Sequence, residues 1–225
     1  MNNPKISWLH SKTSFIRGVQ CVKSMYLHRH NRELKTQATK NQNKISNKGN
    51  SFENQFQRTN FPNGRDLKQE LGKDLHQYTI ATNKLLEEQK ECSIFDAGLI
   101  ANNILILIDV LHKTSDDTIE IYEVKNSSKM KSVFIWDAAL QYHVCKEFFG
   151  EKLKSFNLVL KGRNNTFKII EVSKQAEKKQ EQIKVYINNF TKILQAPIAP
   201  VIDMGKHCNI PYECDFKEYC KNSIK

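Results

Sequence analysis

The hydrophobic positions change period twice along this chain of 225 residues. Between residues 11 and 30, Phe15, Val19, Val22, Met25 and Tyr26 recur at helical spacing, and Ser11 or Thr13 is placed to cap the start. From 31 to 48 the pattern disappears. "NRELKTQATKNQNKISNK" is polar and basic, which predicts a mobile loop or insertion. A short helix is expected over 49–58, then a turn at "FPNGRDL" (61–67). A longer helix over 67–90 carries Leu71, Leu75, Tyr78, Ala81, Leu85 and Leu86 at helical spacing. The period then shortens, and 93–100, 103–111 and 119–125 read as three strands. A helix over 133–149 places Phe134, Ala138, Gln141, Val144, Cys145 and Phe148 near one face. Strands 156–161 and 167–172, joined by "GRNN", and a charged amphipathic helix over 174–194 follow. After Pro197 the chain reads as irregular. This order predicts an α/β fold in a single domain, 1–225, with a mixed sheet flanked by helices.

One strand pair carries charges that an apolar strand does not need. In "ILILIDVLHKTSDDTIEIYEVK" (104–125), two apolar runs flank the turn "TSDDT". A hairpin centred on Asp116 sets Asp109 opposite Glu123, and alternation puts Lys125 on the same face. Opposed residues have Cβ atoms roughly 4.5–5.5 Å apart, so the two carboxylates repel unless a cation lies between them. Hard divalent ions such as Mg²⁺ or Mn²⁺ take such oxygen ligands, and Lys125 can then stabilise developing negative charge. A solvent-facing hairpin accommodates the same residues as weak surface ion pairs. Leu107, Leu111 and Ile121 share the charged face, which is less expected of a plain solvent edge.

Charge and composition narrow the partners. Lys and Arg number 35 against 24 Asp and Glu, for a net charge of +11. That balance favours a polyanion, with nucleic acid the first candidate. Lys23, Arg29, Arg32, Lys35, Lys40, Lys44 and Lys48 against Glu33 make residues 23–48 a candidate phosphate-contacting arm, or a solvated loop. The opening residues lack an apolar signal core, and the longest apolar run, "AGLIANNILILI" (97–108), is interrupted by Asn102 and Asn103. A cytoplasmic protein with no membrane partner is expected, with its thiols reduced.

Six cysteines then read as ligands or small core residues. Cys208, Cys214 and Cys220 are spaced C-x5-C-x5-C, and Cys21 lies far upstream. Four thiolates can hold a [4Fe–4S] cluster or zinc, and His207 keeps a Cys₃His zinc site open. A metal there supplies order that a tail poor in apolar residues cannot supply by burial. Cys92 and Cys145 read as packing residues.

Taken together, Asp109, Glu123-Val124-Lys125 and a following helix with Gln141 resemble the PD-(D/E)XK nuclease superfamily. Upstream, "GNSFE" (49–53) is similar to that superfamily's first-helix motif, with Glu53 at its acidic position. "DAALQYHV" (137–144) resembles the glutamine motif of the RecB-like branch, although Cys145 stands where that branch often has tyrosine. One early cysteine plus a C-terminal trio looks like the Cas4/RecB-like iron–sulfur nucleases. The likeness runs from about 11 to 220 and is sparse between 28 and 90. It implies a restriction-endonuclease-like core (about 49–172) and a cysteine-ligated cluster subdomain joining about 11–30 to 195–220, with the basic loop of 31–48 between. It implies metal-dependent hydrolysis of DNA phosphodiesters, in exonuclease mode, with single-stranded or free-ended DNA as partner. Glu53, Asp109, Glu123 and the Val124 carbonyl would hold Mg²⁺ or Mn²⁺, and Lys125 and Gln141 would complete the site. Cys21, Cys208, Cys214 and Cys220 would hold the [4Fe–4S] cluster. An inactive nucleic-acid-binding module and a zinc-stapled interaction domain are the competing readings.

Overall fold

The computed structural model describes residues 8–36 and 40–223, without the side chains of 40–47 and 165. In chain order the elements are β1 (His10–Ser11), α1 (Lys12–Gln20), α2 (Val22–His30), α3 (Lys40–Asn60), β2 (Arg65–Asp66), α4 (Leu67–Leu71), α5 (Leu75–Glu88), β3 (Cys92–Ala101), β4 (Ile104–Lys113), β5 (Ile119–Lys125), α6 (Ser132–Phe149), β6 (Leu153–Lys161), β7 (Phe167–Glu171), α7 (Ser173–Glu177), α8 (Gln180–Gln195) and α9 (Lys217–Asn222). The strands form one mixed sheet in the order β2-β3-β4-β5-β6-β7, with β1 added parallel to β4. The β3–β4 and β4–β5 pairs are antiparallel, and β5–β6 is parallel. A parallel pair needs a crossover, and α6 lies within it.

Helices are packed on both faces, as the alternation of strands and helices predicts. One core gathers Phe15, Met25, Tyr78, Leu99, Ile108, Ile121, Leu140, Phe156 and Phe190. A smaller one sets Phe52 and Phe56 of α3 against Phe95, Val110, Val124 and Val159. Gly98 lets α5 lie close on β3, since a Cβ there would stand 2.8 Å from the Tyr78 Cβ.

Several predicted elements are corrected. The helix over 11–30 is two helices, broken at Cys21, whose backbone is extended (φ −162°, ψ 114°). Ser11 caps α1 in a reciprocal box with Ser14. The helix over 67–90 is also two, interrupted at Gly72 (φ +68°) and restarted by the Asp74 cap. That over 174–194 is α7 followed by α8. Residues 40–48, expected as loop, are the first turns of α3. That stretch has one apolar residue and no proline, so its helix is an extension of the Phe52/Phe56 anchor and leaves no period of its own. Residues 37–39 and the Lys40 and Lys44 side chains of the expected basic arm lie outside what is described. No described helix is long and apolar enough to cross a membrane.

Candidate functional site

The site lies where the sheet forks. The C-terminal half of β4 pairs with β5, ending at Val110–Tyr122, while its N-terminal half pairs with β1 at Ile104 and Leu105. The next step of the β4–β5 register beyond Val110–Tyr122 is Asp109 against Glu123, the pairing that a turn centred on Asp116 predicts. At the fork, backbone groups need new partners. The Val124 N–H donates to Asp109 Oδ2 (2.7 Å), and Lys12 Nζ reaches the Leu107 carbonyl (3.4 Å).

Glu123 is buried, 1% exposed, which removes the solvent-facing hairpin as an explanation. Two ammonium groups hold its carboxylate. Lys12 Nζ is 2.9 and 3.1 Å from its two oxygens, and Lys125 Nζ is 2.6 Å from Oε1. Lys12 Nζ also stands 3.9 Å from Asp109 Oδ1. Lys125 Nζ goes on to Asp137 Oδ2 (2.5 Å), and Gln141 Nε2 donates to Asp137 Oδ1 (3.3 Å). Gln141 is wholly buried, and its Oε1 has no partner. From the other face, α3 brings Gln57, which donates to the Asp109 carbonyl (3.0 Å) and lies 3.4 Å from Glu53.

The electrostatics follow from this crowding. Burial pushes Glu123 up, but Lys12 and Lys125 outweigh it and hold its carboxyl near 2. Asp109 has weaker support. Burial and then the Glu123 charge raise it well above the usual carboxylate range. Glu53 is pushed up to about 7 by burial, then by Asp96 and Glu123. Asp96 is raised mainly by burial. Burial opposes the charges on Lys12 and Lys125, yet the surrounding carboxylates raise both.

The predicted residues Glu53, Asp109, Glu123, Val124, Lys125 and Gln141 are therefore brought into one neighbourhood. Lys12, Gln57, Asp96 and Asp137 were missed by sequence reasoning. Asp137 had a signal, since it lies four residues before Gln141 on one helix face. Asp96 had one as well: it is a lone charge inside an apolar strand, and in the fold it takes a positive φ of 53°. Lys12 had none, because its contact with Glu123 spans 111 positions.

The donor set suits a hard divalent cation. It is all oxygen, and burial, then neighbouring like charges, push Glu53 and Asp109 upward, a strain that a cation relieves. In this structure the Lys12 ammonium stands between Asp109 and Glu123. Among the described residues, no group of three or more His, Cys, Asp or Glu side chains is in metal-holding geometry.

Cys21, Cys208, Cys214 and Cys220 line one small cavity at the C-terminal end of α1. The Cys214 N–H donates to the Cys208 carbonyl (2.9 Å). Burial, opposed by nearby backbone N–H groups and reinforced by Cys214 and Cys208, raises the Cys21 thiol. Burial also raises Cys220, with Lys23 opposing. All six cysteines are free thiols. The four sulfur donors suit a thiophilic metal, but the void between the walls is only about 10 Å³, the scale of one water. A four-iron cluster fits only if those walls part. Cys145 is fully buried in the core and Cys92 packs beside it, as expected.

No family model matches this sequence, and no curated protein matches it.

Proposed function

We propose that the chain is a metal-dependent nuclease that hydrolyses DNA phosphodiesters, with a cysteine-held [4Fe–4S] cluster that orders its C-terminal tail. The observation that carries this reading is the buried Glu123 carboxylate at the sheet fork, with half-buried Asp109 one register step beyond the last β4–β5 pair and Lys125 on the same carboxylate. A structural ion pair needs no second carboxylate opposed to the first, because the like charge weakens it. The resemblance to PD-(D/E)XK nucleases and the net charge of +11 support the same conclusion.

Asp109, Glu123, Glu53 and the Val124 carbonyl are the groups that would hold Mg²⁺ or Mn²⁺. The ion, when bound, stabilises negative charge that builds on the phosphoryl oxygens. Lys125 is fixed between Glu123 and Asp137, so its ammonium is pre-aimed at the same charge without reorganisation. Gln141 holds Asp137, and thereby Lys125, in place. The test is incubation of end-labelled single-stranded and duplex DNA with Mn²⁺. Cleavage that disappears in Glu123→Ala and Lys125→Met supports the reading, and no cleavage by the intact protein defeats it.

One observation favours a second reading, that of a nucleic-acid-binding module without catalysis. Lys12 and Lys125 together supply the counter-charge to the Glu123 carboxylate. Tight DNA binding, unaccompanied by cleavage under Mg²⁺ or Mn²⁺, distinguishes it.

A further inference from the structure

A cavity of about 320 Å³ opens between α1 and the cysteine-bearing tail, and it shares Lys12 and Asp137 with the acid centre. Its size is at the lower end of ligand sites. The charged groups in its lining have partners. Lys12 is held by Glu123, Asp137 by Lys125, Arg17 by Asp215 (2.5 Å), and Glu213 by Lys217 (3.4 Å). An ionic guest would have to break one of these pairs. What remains carries no formal charge: the Tyr212 ring, Ile16, the Thr13 and Ser24 hydroxyls, the Gln20 amide and the free Cys214 thiol. Such a surface accepts a flat, uncharged, amphipathic group.

We propose that this cavity receives the base of the nucleotide adjoining the scissile phosphate, with Tyr212 as its stacking face. The proposal rests on the nuclease reading, because a scissile phosphate held at the acid centre places its nucleoside beside the neighbouring opening, which shares Lys12 and Asp137 with that centre. Tyr212 is 48% exposed and lines the same cavity as Lys12 and Asp137. The tail sets where the ring stands. Gln20 Nε2 donates to the carbonyls of Tyr212, which lies between Cys208 and Cys214 in the chain, and of His207, just before Cys208 (2.7 Å each). A base in this cavity has left its duplex stack, so the site selects single strands and frayed ends. Stacking against an aromatic face makes it tolerant of base identity.

The test compares Tyr212→Ala and Tyr212→Phe with the parent on single-stranded oligonucleotides, intact or abasic at one position. Cleavage is followed with Mn²⁺, and binding is followed by fluorescence anisotropy with Ca²⁺ in its place. The parent should lose roughly tenfold in KM and in binding when the base is removed at the position that enters the cavity. Tyr212→Phe should behave as the parent. Tyr212→Ala should lose roughly tenfold on the intact strand and no longer distinguish the abasic one. A parent that cleaves, beside a Tyr212→Ala variant that still senses the missing base, overturns the cavity assignment and leaves the nuclease reading standing. A parent that neither cleaves nor binds DNA overturns both.

Discussion

The acid centre and the cysteine cavity lie at opposite ends of α1, with Lys12 at the first residue and Cys21 just past the last. The nine residue steps from Lys12 to Cys21 span roughly 13 Å. Both gather groups that repel when ionised, yet they are resolved differently. In the acid centre two lysines supply the opposite charge, and the surroundings are the strands and helices of the main core. In the cysteine cavity burial raises the Cys21 and Cys220 thiols, and one lysine, Lys23, opposes it at Cys220. Its walls are the start of α2, the irregular tail and the short helix α9, and Phe216 and Cys208 are the tail's buried apolar residues there. A site carried by a core keeps its shape through packing. A site carried by a tail takes its shape from whatever it binds.

The largest expected effect separates chemistry from scaffolding at the acid centre. Glu123→Ala should lower cleavage on the order of 10²–10³-fold. It should also destabilise the protein by about 3 kcal/mol, because Lys12 and Lys125 lose a shared buried counter-charge. Activity assays and urea unfolding read the two losses separately. A variant that loses neither would place Glu123 outside both roles.

The cysteine end should respond in the opposite manner. Protein purified anaerobically should be brown and contain iron. Cys208→Ser should be colourless, and residues 197–223 should become sensitive to limited proteolysis. The sheet should keep its far-UV dichroism and most of its unfolding midpoint, because none of its strands lies in that tail. If Cys208→Ser unfolds the protein as far as Glu123→Ala does, the contrast between core-held and tail-held sites is wrong.

How far each region was legible in the sequence follows the same division. The β4–β5 hairpin could be read down to its register, because period-two alternation and a polar turn are local signals. Asp109 and Glu123 followed from that register alone. The helix breaks at Cys21 and Gly72 could not be read, because each interrupted an apolar pattern that continues on both sides. Lys12 was invisible for a different reason. A lysine at the start of a helix usually meets solvent, and only the pairing of β1 with the far half of β4 turns it inward. Asp137 was present in the motif that pointed to Gln141, but nothing local ranked it above its neighbours.

Within the acid centre, the carboxyls differ in support, and that difference can be measured. Glu53 titrates near 7 in the fold, against about 4.5 when unfolded. Between those values the folded state binds more protons, so this group's contribution falls as pH rises and is fully unfavourable above 7. Glu53→Gln should therefore stabilise the protein at pH 8 by about 2 kcal/mol, after allowance for solvent screening, and have little effect at pH 4.5. Mn²⁺ should raise the unfolding midpoint of the parent more than that of the variant. Equal effects at both pH values would mean that Glu53 does not feel Asp96 and Glu123 in solution.

The smallest effect concerns what holds Lys12 in place from behind. His10 lies in β1, two residues before Lys12, with its ring 1% exposed. One ring nitrogen pairs with the Thr191 hydroxyl (2.9 Å), and the other has no partner. Burial, and then Arg29 nearby, lower this histidine from 6.5 to about 4. The unfolded chain thus takes up a proton that the fold refuses between those values. Stability from His10 is complete above 6.5 and is lost as pH falls toward 4. From pH 6.5 to 5.5 the loss should be about 1 kcal/mol. His28, lowered to a similar value by burial and by Arg17, Arg32 and Lys35, adds to the slope. His10→Asn should flatten the acid limb without abolishing it, as read by urea midpoints across that range. Because β1 delivers Lys12 to Glu123, acidification should loosen the acid centre before it alters the sheet. An acid limb unchanged by the substitution would remove His10 from that role and leave the anchoring of Lys12 to the Ser11 cap and the Glu123 contact alone.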